Sequence, residues 1–168
     1  MNRGNGNDTL RGGSDNDQVI GGAGNDSLFG GSGNDSLTGV DPFIAELRLG
    51  RGEIDTLTGG TNNDTFVLGA LLPNGTRAVF YNDGVAGTAG TGDYALIADF
   101  GFSGDGVERG NDIVQLVGSR NSYSLGASPS SLPSGTGVFF GDGELIGILQ
   151  GIANADVSLA NSNQFTFV

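Results

Sequence analysis

Six aspartates recur at one position of a nine-residue pattern: Asp8, Asp17, Asp26, Asp35, Asp55 and Asp64. Aligned on them, the units begin at Arg3, Gly12, Gly21 and Gly30, with an interrupted fifth ending Asp55-Thr-Leu57-Thr58 and a sixth beginning at Gly59. Two positions after each Asp stands an apolar residue: Leu10, Val19, Leu28, Leu37, Leu57 and Phe66. Turn formation alone does not require Asp at one fixed place in every unit. The alternative is metal ligation. The chain has no Cys and no His, so the donors on offer are carboxylates and free turn carbonyls. Such all-oxygen surroundings select a calcium-like ion over zinc or copper.

The pattern also dictates what must position these groups. The first six residues of a unit, rich in Gly, Asn and Asp, suit the positive φ values of a tight turn, and three residues around one apolar side chain make a short strand. Two units complete one coil of a flattened parallel solenoid, so strands alternate between two sheets and turns between two edges. The six apolar residues then point inward as a thin core. One edge brings Asp8 near Asp26 and Asp55; the other brings Asp17 near Asp35 and Asp64. Stacked strands lie about 4.8 Å apart, so bare carboxylates in these files repel one another unless a cation sits between them.

The units resemble the Gly-Gly-x-Gly-x-Asp-x-apolar-x nonapeptide of the RTX (repeats-in-toxin) hemolysin-type calcium-binding proteins. That resemblance implies six-oxygen calcium sites between turns two units apart, with Asp side chains shared by adjacent ions and backbone carbonyls completing each shell. One site would use Gly4, Gly6 and Asp8 with Gly21, Ala23 and Asp26; a second, Gly13, Asp15 and Asp17 with Gly30, Ser32 and Asp35. A third would join Gly22, Gly24 and Asp26 to Gly39 and Asp55, and a fourth Gly31, Gly33 and Asp35 to Gly59, Thr61 and Asp64. This amounts to about four Ca2+ ions. Arg3 at position one, Asp15 and Asn62 in place of the fourth-position Gly, and Ile54 in place of Asn depart from the pattern. Asp15 is an additional candidate ligand, and Asn62 can adopt the left-handed conformation.

The expected fold class is all-β: a parallel β-roll, a calcium-binding solenoid, over residues 1–67, followed by a β-rich C-terminal capping half over 68–168. The roll is interrupted in the turn at 39–55. There Asp41-Pro42, followed by Phe43 to Leu49, reads as a capped helical turn with Phe43, Ile44 and Leu47 on one face. In the second half, strands are expected at Ala78–Tyr81, Tyr94–Phe100, Asp112–Val117, Tyr123–Leu125, Val138–Phe140, Glu144–Gln150 and Phe165–Val168. The phrases Asp64-Thr-Phe-Val67, Ile97-Ala-Asp99-Phe100 and Asn111-Asp112-Ile-Val-Gln-Leu116 resemble the C-terminal module of the serralysins, which implies a closing cap. Asp99 and Asp112 read as turn caps in preference to ligands of a further ion.

Composition bears on function. With 33 Gly in 168 residues there is little side-chain volume to bury and much backbone entropy to lose. Nineteen acids against seven Arg and no Lys give a net charge of −12, which opposes compaction and argues against nucleic acid or an anionic membrane as partner. Metal binding and folding are then expected to be one event. No stretch approaches transmembrane length and residues 1–20 carry no basic-then-apolar leader. The RTX resemblance implies a secreted, extracellular protein that leaves through type I secretion machinery, and the ending Phe165-Thr-Phe167-Val168 is similar to such a tail. Lack of His excludes Ser-His-Asp and His-Glu-x-x-His chemistry, so no enzyme is expected. The expected role is a calcium-binding module that folds on extracellular calcium and supports secretion. The alternative is a calcium-stiffened adhesion or surface-matrix protein that binds a cell-surface glycan or another protein; a cytosolic calcium buffer is a third reading.

Overall fold

The computed structural model describes residues 2–43, 49–84, 91–102 and 110–168, and over them the protein is all-β. The repeat stretch supplies β1 (Asn2–Asn5), β2 (Thr9–Gly13), β3 (Gln18–Ala23), β4 (Ser27–Ser32), β5 (Ser36–Val40), β6 (Ile54–Thr61) and β7 (Thr65–Val67). After it come β8 (Gly69–Leu71), β9 (Arg77–Val79), β10 (Tyr94–Ile97), β11 (Ile113–Leu116), β12 (Tyr123–Ala127), β13 (Gly135–Phe140), β14 (Glu144–Gln150) and β15 (Phe165–Phe167). The one helical element among the described residues is a 3₁₀ turn, Arg120–Ser122. No helix there is long and apolar enough to cross a membrane.

Successive repeat strands go to alternate sheets. One six-stranded sheet runs β1-β3-β5-β7-β11-β15, parallel throughout. The seven-stranded sheet begins β2-β4-β6-β10-β14, also parallel, and ends in the antiparallel strands β13 and β12. Both sheets therefore continue past the last repeat.

Register lines the inward side chains into two files. In one, Leu10, Leu28, Leu57, Ile97 and Leu149 face one another strand by strand. In the other stand Val19, Leu37, Phe66, Val114 and Phe165. None of the ten is more than 2 % exposed, and all belong to one core cluster. The apolar position of the repeat thus sets a phase that the second half keeps without keeping the nonapeptide.

The strands differ from expectation at their ends. Those of the repeats, β7 excepted, are longer than three residues, because pairing runs on into the glycines, as at Gly13, Gly31 and Gly60. Stacked glycines allow this. At Gly22, with φ 126°, a Cβ would collide with the carbonyl oxygen of Gly4 in the coil below. The strand expected over Tyr94–Phe100 stops at Ile97, since Asp99 turns to accept N–H bonds from Gly59 and Gly60 at 2.9 and 2.8 Å. That expected over Ala78–Tyr81 is Arg77–Val79, hairpinned to β8, and Tyr81 leaves it with φ 59°. The Asp112–Val117 strand narrows to Ile113–Leu116, and that at Phe165–Val168 ends at Phe167. Those expected at Tyr123–Leu125 and Val138–Phe140 extend to Tyr123–Ala127 and Gly135–Phe140, where they pair as a hairpin. The helical turn expected within 43–49 falls largely on 44–48, outside the described residues. At its head, Asp41 Oδ1 accepts the Phe43 N–H at 2.8 Å.

Candidate metal centre

Each turn sits directly over the turn two units earlier, and its Asp reaches back to it. On the first edge Asp26 Oδ1 accepts the Asp8 N–H and Asp55 Oδ1 accepts that of Asp26, each at 2.8 Å. On the second, Asp35 Oδ1 accepts from Asp17 and Asp64 Oδ1 from Asp35, also at 2.8 Å. The expected grouping of Asp8, Asp26 and Asp55 opposite Asp17, Asp35 and Asp64 is therefore present. Asp112 adds a further rung, its Oδ1 accepting the Asp64 N–H at 2.9 Å.

One carboxylate oxygen is thus used to stack the turns, and the other is the chemically informative one. The Oδ2 atoms of Asp26, Asp35 and Asp64 are buried without a hydrogen-bond partner. A buried polar atom left unsatisfied costs on the order of 1–3 kcal/mol, more when charged. Asp26 Oδ2 shares with the carbonyl oxygen of Gly39 the space over the Cα of Gly21, which a Cβ would fill. Asp35 Oδ2 and the Gly59 carbonyl share the matching space over Gly30. A carboxylate oxygen converging with a carbonyl, with no N–H or O–H of another residue between them, is a donor set that suits a cation.

The remaining candidate residues fall around these points. Gly4 O faces Gly22, Gly13 O faces Gly31, Gly6 lies against Gly24, and the Asp15 carbonyl lies against Gly33. The third-position carbonyls of Ala23 and Thr61 accept turn N–H bonds from Gly6 and Gly33, at 2.7 and 3.3 Å. Ser32, at that position in the fourth unit, pairs with Thr61. Asn62 takes φ 81°, as its place in the turn requires, whereas Asp15 does not enter the positive-φ region and its side chain is exposed.

Electrostatics follow from this burial. Desolvation lifts Asp26 from the ordinary 3.8 to about 6, against the Asp8 N–H bond and with help from the charges of Asp8 and Glu53. Asp55 is pushed to about 7 by burial, opposed by hydrogen bonds from Tyr81 and the Asp26 N–H. Asp64 also reaches about 7, through burial and the charges of Asp112, Asp35 and Asp99, with the Asp35 N–H opposing. Without a cation, Asp55 and Asp64 take up protons near neutrality and Asp26 about one pH unit below it. A divalent ion would supply the charge that protons otherwise bring.

Two features escape the carboxylate pattern. Asn7, Asn16, Asn25, Asn34 and Asn63 form ladders of their own, each side-chain oxygen accepting the N–H of the residue above at 2.7–3.0 Å. Their fixed fifth position was the available signal. Further, the last carboxylate of each file is closed by the protein itself. Tyr81 donates its hydroxyl to Asp55 Oδ2 at 2.6 Å, and the Gly101 N–H donates to Asp112 Oδ2 at 2.7 Å. Tyr81 has no sequence signal, since it lies 26 residues from its partner.

No curated protein matches the chain. Residues 3–37 and 49–70 match the family model of the RTX calcium-binding nonapeptide repeat (4 copies). The matched residues hold the six repeat aspartates of the two carboxylate files, and Asp112 lies beyond them. Over the matched residues the chain carries RTX-type calcium-binding nonapeptide repeats.

Proposed function

We propose that residues 1–67 form a parallel β-roll that takes up about four calcium ions between its turns and folds as it does so. The observation that carries this reading is the set of partnerless buried oxygens at Asp26, Asp35 and Asp64. The sites would be those the RTX resemblance implies: Gly4, Gly6 and Asp8 with Gly21, Ala23 and Asp26; Gly13, Asp15 and Asp17 with Gly30, Ser32 and Asp35. The two later sites would use Gly22, Gly24 and Asp26 with Gly39 and Asp55, and Gly31, Gly33 and Asp35 with Gly59, Thr61 and Asp64. Bound there, calcium supplies positive charge between carboxylates. Asp26 and Asp35 each orient one oxygen by a backbone N–H and leave the other for a second site.

Residues 68–168 act as the cap, extending both sheets and closing the ends of the files through Tyr81 and Gly101. A net charge of −12 and a glycine-rich chain keep the module open where calcium is scarce, which suits passage through a type I secretion channel and folding outside the cell. The module contributes folding and rigidity to a secreted protein and no catalysis.

Far-UV circular dichroism of the purified chain in EDTA, followed through a calcium titration with magnesium as control, tests the reading. The expected result is a coil spectrum that converts cooperatively to β with calcium alone. A spectrum fully β in EDTA and unmoved by calcium would sink it.

A further inference from the structure

A second group of acids lies away from the nonapeptide turns. Asp93 stands immediately before β10, Glu144 opens β14, and Asp83 lies in the loop after β9. The two strands are parallel neighbours, Ala95 opposite Gly147, which sets Asp93 and Glu144 side by side at one end of the sheet. One carboxylate oxygen from each of the three residues lies within 4.8 Å of the others. None of the three falls in the residues matched to the RTX repeat.

Proximity of acids alone would mean little, but two of these side chains are nearly sealed from water. Asp93 is 4 % exposed and Glu144 8 %. Asp93 Oδ2 and Glu144 Oε1 are buried with no hydrogen-bond partner, as are the Oδ2 atoms of the repeat sites. Like charges at this spacing in a buried place need either a proton or a cation between them. Burial first, and then the charge of Asp83, push both carboxyls up, while a Gly52 N–H and the Arg51 guanidinium pull Asp93 back. Arg51 is held on this side of the sheet by its Nε, which donates to the Asn82 carbonyl at 3.0 Å. Three carboxylates and one guanidinium leave two negative charges, the amount one divalent ion neutralises.

We propose that Asp83, Asp93 and Glu144 form a divalent-cation site, separate from the repeat turns, that pins the loop after β9 to the starts of β10 and β14. The donor set is all oxygen, which suits calcium, an ion that takes roughly six to eight oxygen ligands in loose geometry. The site ties a loop to two adjacent strands distant in sequence, so its ion orders residues beyond the roll. Calcium dependence then extends into the second half of the chain. A hydrogen bond between the Asp83 and Glu144 side chains, sharing one proton, is the competing arrangement.

Counting bound ions separates the two. Equilibrium dialysis of the full chain against calcium, with bound metal measured by atomic emission, is run on the wild type, Glu144→Gln and Asp83→Asn. Each variant is expected to bind one ion fewer per chain than the wild type while keeping its calcium-induced β spectrum. Asp83 is half-buried on a loop, so its variant decides the matter if Glu144→Gln fails to fold. An unchanged ion count in a folded variant overturns the site and leaves the shared proton as the explanation. Asp26→Asn, which acts on the repeat turns, provides the contrast: loss of ions there with the Asp83 and Glu144 variants unaffected would support the roll alone.

Discussion

The hydroxyl of Tyr81 meets Oδ2 of Asp55 at 2.6 Å, with both residues wholly buried. Asp55 is the last carboxylate of the first file, because β10 places Ala95, not an acid, at the next rung. The oxygen that Asp26 leaves unpaired is satisfied at Asp55 by a protein donor. Tyr81 reaches it from a left-handed backbone at φ 59°, a conformation that a bulky residue adopts at a cost of about 1 kcal/mol or more. The file therefore ends by a specific bond.

Removing that bond should be costly. Tyr81→Phe leaves the buried Asp55 Oδ2 without a donor, and a hydrogen bond to a charged group is worth about 1.5–3 kcal/mol. The urea midpoint of the calcium-saturated chain should fall accordingly. An unchanged midpoint would mean that Asp55 finds another partner and that Tyr81 is packing only.

The raised carboxyls set a pH dependence whose sign is opposite to that of ordinary ion-paired acids. Asp26, Asp55 and Asp64 stand at about 6, 7 and 7 in the metal-free fold against an ordinary 3.8, so the folded state binds more protons than the open chain. The stability these groups contribute is present at low pH and is lost as pH rises through 6 to 7. In EDTA the β signal should grow on acidification from about pH 8 to pH 5. With calcium the reverse coupling holds: protons compete for the same oxygens, and the calcium midpoint should rise as pH falls below about 7. Circular dichroism over a grid of pH and calcium checks both, and a metal-free signal that is flat across this range would contradict the assignment of buried, proton-holding carboxylates.

Asp26 and Asp99 both accept backbone N–H bonds, but they differ in what remains. Asp99 spends both oxygens on Gly59 and Gly60, whereas Asp26 spends one on Asp8 and keeps a buried, partnerless one. Asp26→Asn preserves shape and the Asp8 bond while removing the charge. Loss of outer-shell partners alone costs metal sites about 10- to 100-fold in affinity, so the calcium midpoint of Asp26→Asn should rise at least about tenfold. Asp99→Asn should move it far less. Equal shifts would undercut the division of the aspartates into ligands and caps.

Much of this was legible in the sequence because the repeat carries its own register. A fixed spacing of Asp and Leu needs no long-range information: once two units make a coil, Asp8 must lie by Asp26 and Leu10 by Leu28. The fifth-position Asn ladder was equally periodic, yet Asn in a turn has a sufficient local explanation, which hid its role in linking one coil to the next. Ile54, lacking an acceptor side chain, can still donate its N–H to Asn25 at 2.8 Å and end that ladder. Beyond Val67 the periodicity lapses while the core files continue. Pairings such as Phe66 with Val114, or Tyr81 with Asp55, depend on loops whose lengths follow no rule, so strands could be expected there but not their partners.

The glycines of the turn offer a test of the stacking itself, because they differ in what surrounds them. Gly22 has φ 126°, outside the left-handed well that Asn or Asp tolerate, and an added methyl would meet the Gly4 carbonyl of the coil below. Gly52 has φ 72°, within that well, and open space around its Cα. Gly52→Ala should cost about 1 kcal/mol, the price of the left-handed backbone alone. Gly22→Ala carries a larger conformational cost and forces two coils apart at backbone atoms that cannot rotate away, so its loss should exceed about 3 kcal/mol. Thermal unfolding in saturating calcium compares them directly. If both variants melted together, the close approach of Gly22 to Gly4 would not be a feature of the folded molecule, and the calcium sites that depend on that spacing would lose their geometric basis.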